Sequence, residues 1–337
     1  MWKPTEYPQA FLMLLCSMLC WGSWANALKL MKTCRFELFY WDYVFGTSIM
    51  SVILGLTMGS FGQSGPTLFS DFQRASATSF EYAFAGGAVF NVANILLTGA
   101  IEVAGLAVAF PLGVGLSIVI GVILNYWITP RNNPILLFGG VALLLIAIVL
   151  DAMAYRYHSA DSRKPTTVGL VLCMISGAGL GLFYPLVAKS LAVPEHLGPY
   201  SVGIVFMAGM LVCNLVANTA IMMKPVTGQP SLPLASYFRM PRRWHFLGLT
   251  LGGAVWGLGT VFNFVASSTP LVGPATSFAL GDGATMVSAI WGVVVWKEFA
   301  GAGSNVKRLV VLMFLFFVLG LGSIALSPVI SVGTNSP

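Results

Sequence analysis

The sequence predicts an all-α membrane protein of ten transmembrane helices arranged as a five-plus-five inverted repeat. Three observations carry that prediction. Of 337 residues, 57% are hydrophobic and only 8% charged, whereas a soluble domain carries about 25% charged residues. The stretch from Ala83 to Trp127 is almost wholly apolar and exceeds one bilayer crossing, which takes about 20 helical residues. Its one break is IEVAG at 101–105, so it reads as two helices joined by a minimal turn. Finally, GLAVAFPLGVG at 105–115 aligns without gaps to GPATSFALGDG at 273–283, and GGAV at 86–89 recurs at 252–255. Duplication of this kind is how many secondary transporters are built.

In chain order, span 1 covers roughly 8–31 and span 2 about 37–59. Span 1 begins like a signal peptide, but Trp21, Trp24 and Asn26 and the want of a small-residue cleavage site keep it as a mature span. Spans 3 and 4 are the opening pair. Span 5, at 134–154, is nearly pure aliphatic and is assigned to lipid or to a homodimer contact. The polar run RYHSADSRKPT at 156–166 divides a first repeat, 1–155, from a second, 167–337. Spans 6 to 10 fall near 167–189, 198–222, 245–267, 271–296 and 306–327. Loops at 60–79 and 224–243 are rich in Pro, Gly and Ser, the composition of surface connections.

The net charge of +6 is not a nucleic-acid signal, because the bases sit in loops, where they report orientation. Lys3, Arg74, Arg131 and Lys189 fall on one side of a ten-span chain and the other thirteen Lys and Arg on the opposite side. The positive-inside rule makes the richer side cytoplasmic. Both termini are then outside the cell membrane and 156–166 is a cytoplasmic connector. With five spans per half, the repeats have opposite topology. WANALKLM at 24–31 parallels YPLVAKSL at 184–191, which sets Lys29 and Lys189 at matching helix ends on opposite faces.

The stretches GSWANALKLM (22–31), YWDY (40–43), AGGAVFNVAN (85–94), GLAV…GVILNY (105–126), LFYP (182–185) and WGVVVWKE (291–298) resemble the drug/metabolite transporter superfamily. Within it they are most similar to the ureide permeases and to the related glucose/rhamnose-type sugar porters. The resemblance implies proton-coupled uptake of polar, nitrogen-rich heterocycles such as allantoin, uracil and xanthine. There is one departure. Plant ureide permeases carry a long central segment with a P-loop-like motif, and only about a dozen polar residues stand there in this chain, so nucleotide binding is not implied and the substrate is not inherited with the fold.

Residue chemistry names the candidate site. Asp282, between Gly281 and Gly283, lies twelve residues after Pro270 and fourteen before Trp296, near the middle of span 9. An unpaired carboxylate there costs about 2.5–3.5 kcal/mol. Protonation relieves that cost, which is the property a proton-coupled carrier needs. Asn91 and Asn94 share a face of span 3, and a carboxamide offers donor and acceptor together. Trp21 and Trp24 share a face of span 1, as do Trp256 and Thr260 in span 8, and indoles offer walls for a flat ring. In span 6, Tyr184 precedes Pro185, which leaves a carbonyl one turn back without its donor. The bland alternatives are interhelical hydrogen bonding for the asparagines, packing for the aromatics and a structural hydrogen bond for Asp282. Asp42 is expected to pair with Lys29 or Arg35.

Other chemistry is not indicated. The five cysteines form no CxxC pair, so neither a disulfide framework nor a zinc site is expected. GAGLG at 177–181 lacks a preceding strand and reads as close helix packing. No nucleophilic, metal-binding or cofactor constellation is visible, which argues against an enzyme. The leading function is a proton-coupled importer of ureides, nucleobases or related purines. The alternatives are a sugar porter, or an exporter of metabolites or cationic drugs with Asp282 as counter-charge.

Overall fold

The structure, a computed structural model, describes residues 1–62, 64–104, 106–158, 166–225 and 229–330. Residues 159–165 of the expected connector lie outside it, as do Gly105 and the side chains of Ala107 and Phe110 in the repeated motif. Among the described residues there is no strand. Ten helices are long and apolar enough to cross a membrane: α1 Tyr7–Leu30, α2 Phe36–Leu56, α3 Ala77–Ile101, α4 Pro111–Ile128, α5 Pro134–His158, α6 Thr167–Ser190, α7 Pro199–Met223, α8 Arg242–Ser267, α9 Pro274–Val295 and α10 Ser304–Leu326. Each expected span has its helix. In hydrocarbon a helix satisfies its own backbone, so apolar length alone dictates the element.

Helix starts follow local chemistry. Asn133 Oδ1 accepts from the N–H groups of Ile135 and Leu136 at the head of α5. Thr166 caps α6 through the N–H of Gly169 at 3.1 Å. Pro199 and Pro274 occupy first-turn positions of α7 and α9, where a missing N–H costs nothing.

Helix α3 packs on α6 and α7, while α8 packs on α1 and α2. Helix α4 lies against α6 and α9, α1 against α9, α2 against α7, and α5 pairs with α10 at the flank. Glycines set the closest approaches. A Cβ on Gly87 would stand 1.9 Å from the Phe206 carbonyl oxygen, and one on Gly209 would stand 2.1 Å from that of Phe84. At the α2–α8 crossing, a Cβ on Gly46 would meet the Leu249 oxygen at 2.1 Å and one on Gly253 the Tyr43 oxygen at 2.4 Å. With no hydrophobic drive between helices inside lipid, such backbone-to-backbone packing is a main source of cohesion. GAGLG does the same for α6, where a Cβ on Gly177 would stand 2.6 Å from the Gly113 oxygen.

Gly87→Ala is therefore expected to destabilise the protein, although alanine is the better helix former. The added methyl meets backbone that cannot move aside, an overpacking cost of about 1–3 kcal/mol. Thermal unfolding in detergent checks this against Gly322→Ala, whose Cβ would have nothing within 4 Å and which should leave the midpoint unchanged or raise it.

Two spans are interrupted in mid-course. Helix α1 breaks between Ser23 and Asn26, and Asn26 Nδ2 donates to the Ser23 carbonyl across the break at 2.9 Å. Helix α9 breaks between Gly281 and Ala284, where Gly283 and Met286 bond carbonyls three residues back instead of four. Helix α8 also carries a π-helical turn, Gly248–Ala254, immediately before Trp256.

Candidate functional site

Both breaks border one cavity of about 320 Å³, at the lower end of the range for small-molecule sites. It is enclosed by α1, α3, α4, α6, α8 and α9 and reaches Leu28, Phe36 and Ile101, the face at which α1 ends and α2 begins. Lys29, Lys32 and Arg35 flank that junction.

The walls are aromatic. Trp256 is the hub: its ring stacks on Phe90, with centroids 4.7 Å apart and planes at 30°, and on Trp21 at 6.0 Å and 15°. Trp21 Nε1 donates to Thr260 Oγ1 at 2.9 Å, and that hydroxyl donates in turn to the Trp256 carbonyl at 2.9 Å. The indole is thus fixed by hydrogen bonding at one edge. Its benzo edge lies against Gly281, where a Cβ would stand 2.6 Å away. Trp24 packs on Phe39 and Tyr43 and Phe183 meets Phe90 edge to face at 5.0 Å.

Polar groups are few and come from both halves of the chain. Asn94, Thr98 and Ser117 line one side, and Asp282, Thr285 and Ser288 line the other. Asn94 Nδ2 donates to Tyr40 OH at 3.2 Å, and Thr285 Oγ1 donates to the Asp282 carbonyl at 2.9 Å. Asp282 Oδ2 is buried and without a hydrogen-bond partner. Among the described residues, no Lys, Arg or His lines the cavity.

Of the residues singled out from sequence, Trp21, Trp24, Asn94, Trp256 and Asp282 line this cavity, and three others stand back from it. Thr260 is fully buried and holds Trp21. Tyr184 is fully buried and donates to Asn263 Oδ1, and Asn263 Nδ2 reaches Ser17 Oγ at 3.2 Å and the Ser277 carbonyl at 3.1 Å. With Phe278 seated on Gly121, this network is buried among α1, α4, α6, α8 and α9 and is not part of the cavity lining. Asn91 is fully buried with neither side-chain atom partnered. Asp42 differs from expectation, since its carboxylate takes Tyr237 OH at 2.6 Å and His245 Nδ1 at 2.9 Å. Arg35 instead pairs with Glu37. Burial first, and then Asp42, pushes the Tyr237 hydroxyl pKa up.

Lys29 pairs with Glu298, which also accepts from Tyr155 OH. Further contacts bind the second half of α1 to that of α9: Ser288 Oγ to the Gly22 carbonyl at 3.0 Å, Trp291 Nε1 to Ser23 Oγ at 2.9 Å and Trp296 Nε1 to Asn26 Oδ1 at 2.6 Å. The two segments beyond the breaks therefore form one body on one wall of the cavity.

Phe90, Phe183, Ser117 and Thr285 escaped the sequence reading. A signal for three of them was present. Extending the internal matches sets Phe90 against Trp256, Asn94 against Thr260 and Ser117 against Thr285.

The comparisons with known proteins agree with the resemblance. The family model described as ureide permease matches residues 39–167. Ureide permease 1 of Arabidopsis thaliana is 24% identical, covering 84% of this chain and 87% of its own length. Ureide permease 2 of the same plant is 23% identical over 90% of this chain and 93% of its own length. A Listeria monocytogenes protein named for sugar uptake is 25% identical over 75% of this chain and 82% of its own. A crystal structure of a protein at 14% identity superposes with a TM-score of 0.63, covering 93% of this chain and 96% of that one, which supports the fold alone. The chain is an integral multi-pass membrane protein similar to the ureide permeases, which are transporters and not enzymes.

Proposed function

We propose that the protein is a proton-coupled carrier that imports an uncharged, nitrogen-rich heterocycle, a ureide or a nucleobase, through the cavity between α1, α3, α4, α6, α8 and α9. The observation that carries this reading is the character of the cavity. Flat aromatic walls built on Trp256 meet amide and hydroxyl groups and one carboxylate with an unpartnered oxygen, and among the described residues no Lys, Arg or His lines it. A planar ring stacks on such walls, and its N–H and C=O groups find both acceptors and donors. The names of the Arabidopsis relatives support the same substrate class. Asp282 carries the coupling proton, because a neutral carboxyl crosses an apolar barrier far more readily than a carboxylate.

The halves 1–155 and 167–337 act as two inverted repeats joined by a cytoplasmic 156–166 connector. Support comes from matching interfaces: the α2–α8 crossing at Gly46 and Gly253 has its counterpart in α7–α3 at Gly209 and Gly87. Discontinuous helices at the repeat interface are where carriers of this design hold substrate. Both termini face outward across the cell membrane, on the strength of the basic-residue bias. In intact cells a membrane-impermeant thiol reagent is therefore expected to label a cysteine placed at Ser76 and not one placed at Ser236. The opposite pattern inverts the topology.

A thermal-shift series on the purified protein tests the substrate class. Allantoin or uracil at 100 times its Kd should stabilise the native state by about 2.7 kcal/mol, while glucose and rhamnose leave the midpoint in place. The Listeria sugar-uptake relative supports a second reading, which a response to sugars alone would favour.

A further inference from the structure

We infer that the connection between α7 and α8 is a docking surface for anionic phospholipid. Arg239, Arg242 and Arg243 take the phosphate groups, and Leu234, Phe238 and Phe246 enter the acyl layer beneath them. The connection joins two spanning helices, α7 ending at Met223 and α8 beginning at Arg242, so it lies where hydrocarbon gives way to headgroups.

Its inner side is fixed to the protein. The Leu232 N–H donates to the Met222 carbonyl at 2.7 Å, and Arg35 donates to the Pro230 carbonyl at 2.6 Å. Tyr237 and His245 are both held by Asp42, and Met240 is buried with Leu38, Trp41 and Met222. A fixed backbone therefore presents the side chains left outside, and these are of two kinds. Leu234, Phe238 and Phe246 are exposed, the two rings to 75% and 65%. Arg239, Arg242 and Arg243 are exposed as well. Arg239 follows Phe238 directly, and Phe246 lies one turn beyond Arg242 and Arg243, on their face of α8. Rings at the edge of the hydrocarbon, with arginine heads reaching to the phosphates, suit a bilayer boundary.

The charge is unbalanced within the protein. No Asp or Glu occurs between Lys224 and Trp256, and α7 has none. Of the two acids on neighbouring α2, Glu37 is paired with Arg35, and Asp42 is taken by Tyr237 and His245. Among the described residues, none of the three arginines forms an ion pair. Arg242 and Arg243 also stand in the first turn of α8, where the helix dipole already places positive partial charge. An anionic leaflet meets that charge at this depth. It also covers the exposed rings, which an acidic protein segment would leave in water. Helix α8 carries the π-helical turn and Trp256, so lipid held at its head steadies one wall of the cavity from outside.

The test is a titration of the full-length protein, in a neutral detergent, with dansyl-labelled phosphatidylglycerol or phosphatidylcholine. Energy transfer from the tryptophans reads binding. The wild type is expected to hold phosphatidylglycerol at least ~10-fold more tightly, and added salt should narrow the difference. Replacing Arg239, Arg242 and Arg243 together by Gln should weaken phosphatidylglycerol roughly 100-fold, at about fivefold per arginine. The same variant should keep the melting temperature of the lipid-free protein. Replacing Arg156, Lys307 and Arg308 by Gln removes equal charge from exposed positions at the ends of α5 and α10. That control should change phosphatidylglycerol binding by less than ~3-fold. Phe238→Ser combined with Phe246→Ser should weaken both lipids alike. Equal binding of the two lipids by the wild type would overturn the inference, and that comparison needs no variant. Equal losses in the two arginine and lysine variants would also overturn it, since overall charge would then be the attraction. Poly-glutamate bound at the three arginines in place of phosphatidylglycerol would assign the surface to an acidic protein instead.

Discussion

Asp282→Asn is expected to abolish concentrative uptake while leaving exchange of solute between the two sides of the membrane largely intact. The asparagine reproduces the shape and hydrogen bonding of the neutral carboxyl but has no proton to release. A carrier locked in the equivalent of its protonated form still reorients with solute bound, and it comes to equilibrium with the solute gradient instead of the proton gradient. Accumulation in vesicles under an imposed inward proton gradient should fall to the level set by diffusion. Counterflow in the same vesicles should persist. Asp282→Ala should lose more, because it removes the polar side chain at the α9 break altogether. If Asp282→Asn accumulates solute with wild-type dependence on pH, the coupling group lies elsewhere. Asp42 is then the next carboxylate to examine, with His245 and Tyr237 already bonded to it.

Trp256→Ala should produce the largest loss of affinity among the wall residues. The ring stacks on Phe90 and Trp21 and meets Tyr43, so it holds in place the aromatic wall against which a planar ligand would rest. Stacking of a base on an aromatic side chain is worth about 1–3 kcal/mol, or roughly 5- to 150-fold in Kd. Only 4% of Trp256 is exposed, so truncation also leaves a void costing about 3–5 kcal/mol of stability. Trp256→Phe separates the two effects. It retains an aromatic face and most of the packing, so uracil affinity should fall only a few-fold with a small drop in melting temperature. Equal affinity in the wild type and in a folded Trp256→Ala variant would remove this wall from the site.

The transmembrane architecture was legible because hydrocarbon imposes one requirement: every run of about 20 apolar residues must close its own hydrogen bonds as a helix. The breaks in α1 and α9 were not. Trp24 and Ala25 carry no turn chemistry, and the α1 interruption depends on Asn26 bonding back to Ser23 and on the ties from α9. Helical spacing also says which residues share a face, but not where that face points. Trp256 and Thr260 share one, yet Trp256 meets the cavity while Thr260 turns inward to hold Trp21. Tyr184 looked equivalent to Trp24 in the internal match but is buried and spends its hydroxyl on Asn263. Asp282 was readable because a carboxylate between two glycines in an apolar run has few structural uses. The want of any Lys, Arg or His beside it among the described cavity residues was not, because Lys29 finds Glu298 across 269 positions of sequence.

The central claim is that the transported solute occupies the cavity between the broken helices. Ala25 lines that cavity and is exposed, so an Ala25→Cys variant can be modified there by a small polar thiol reagent. Labelling rates should be measured in membranes open to the reagent on both faces, with and without saturating uracil or allantoin, against a cysteine placed at Ser76 in the α2–α3 connection. The account predicts that solute slows modification at position 25 severalfold and leaves the rate at position 76 unchanged. Unaltered labelling at position 25 under a solute concentration that saturates transport would contradict it.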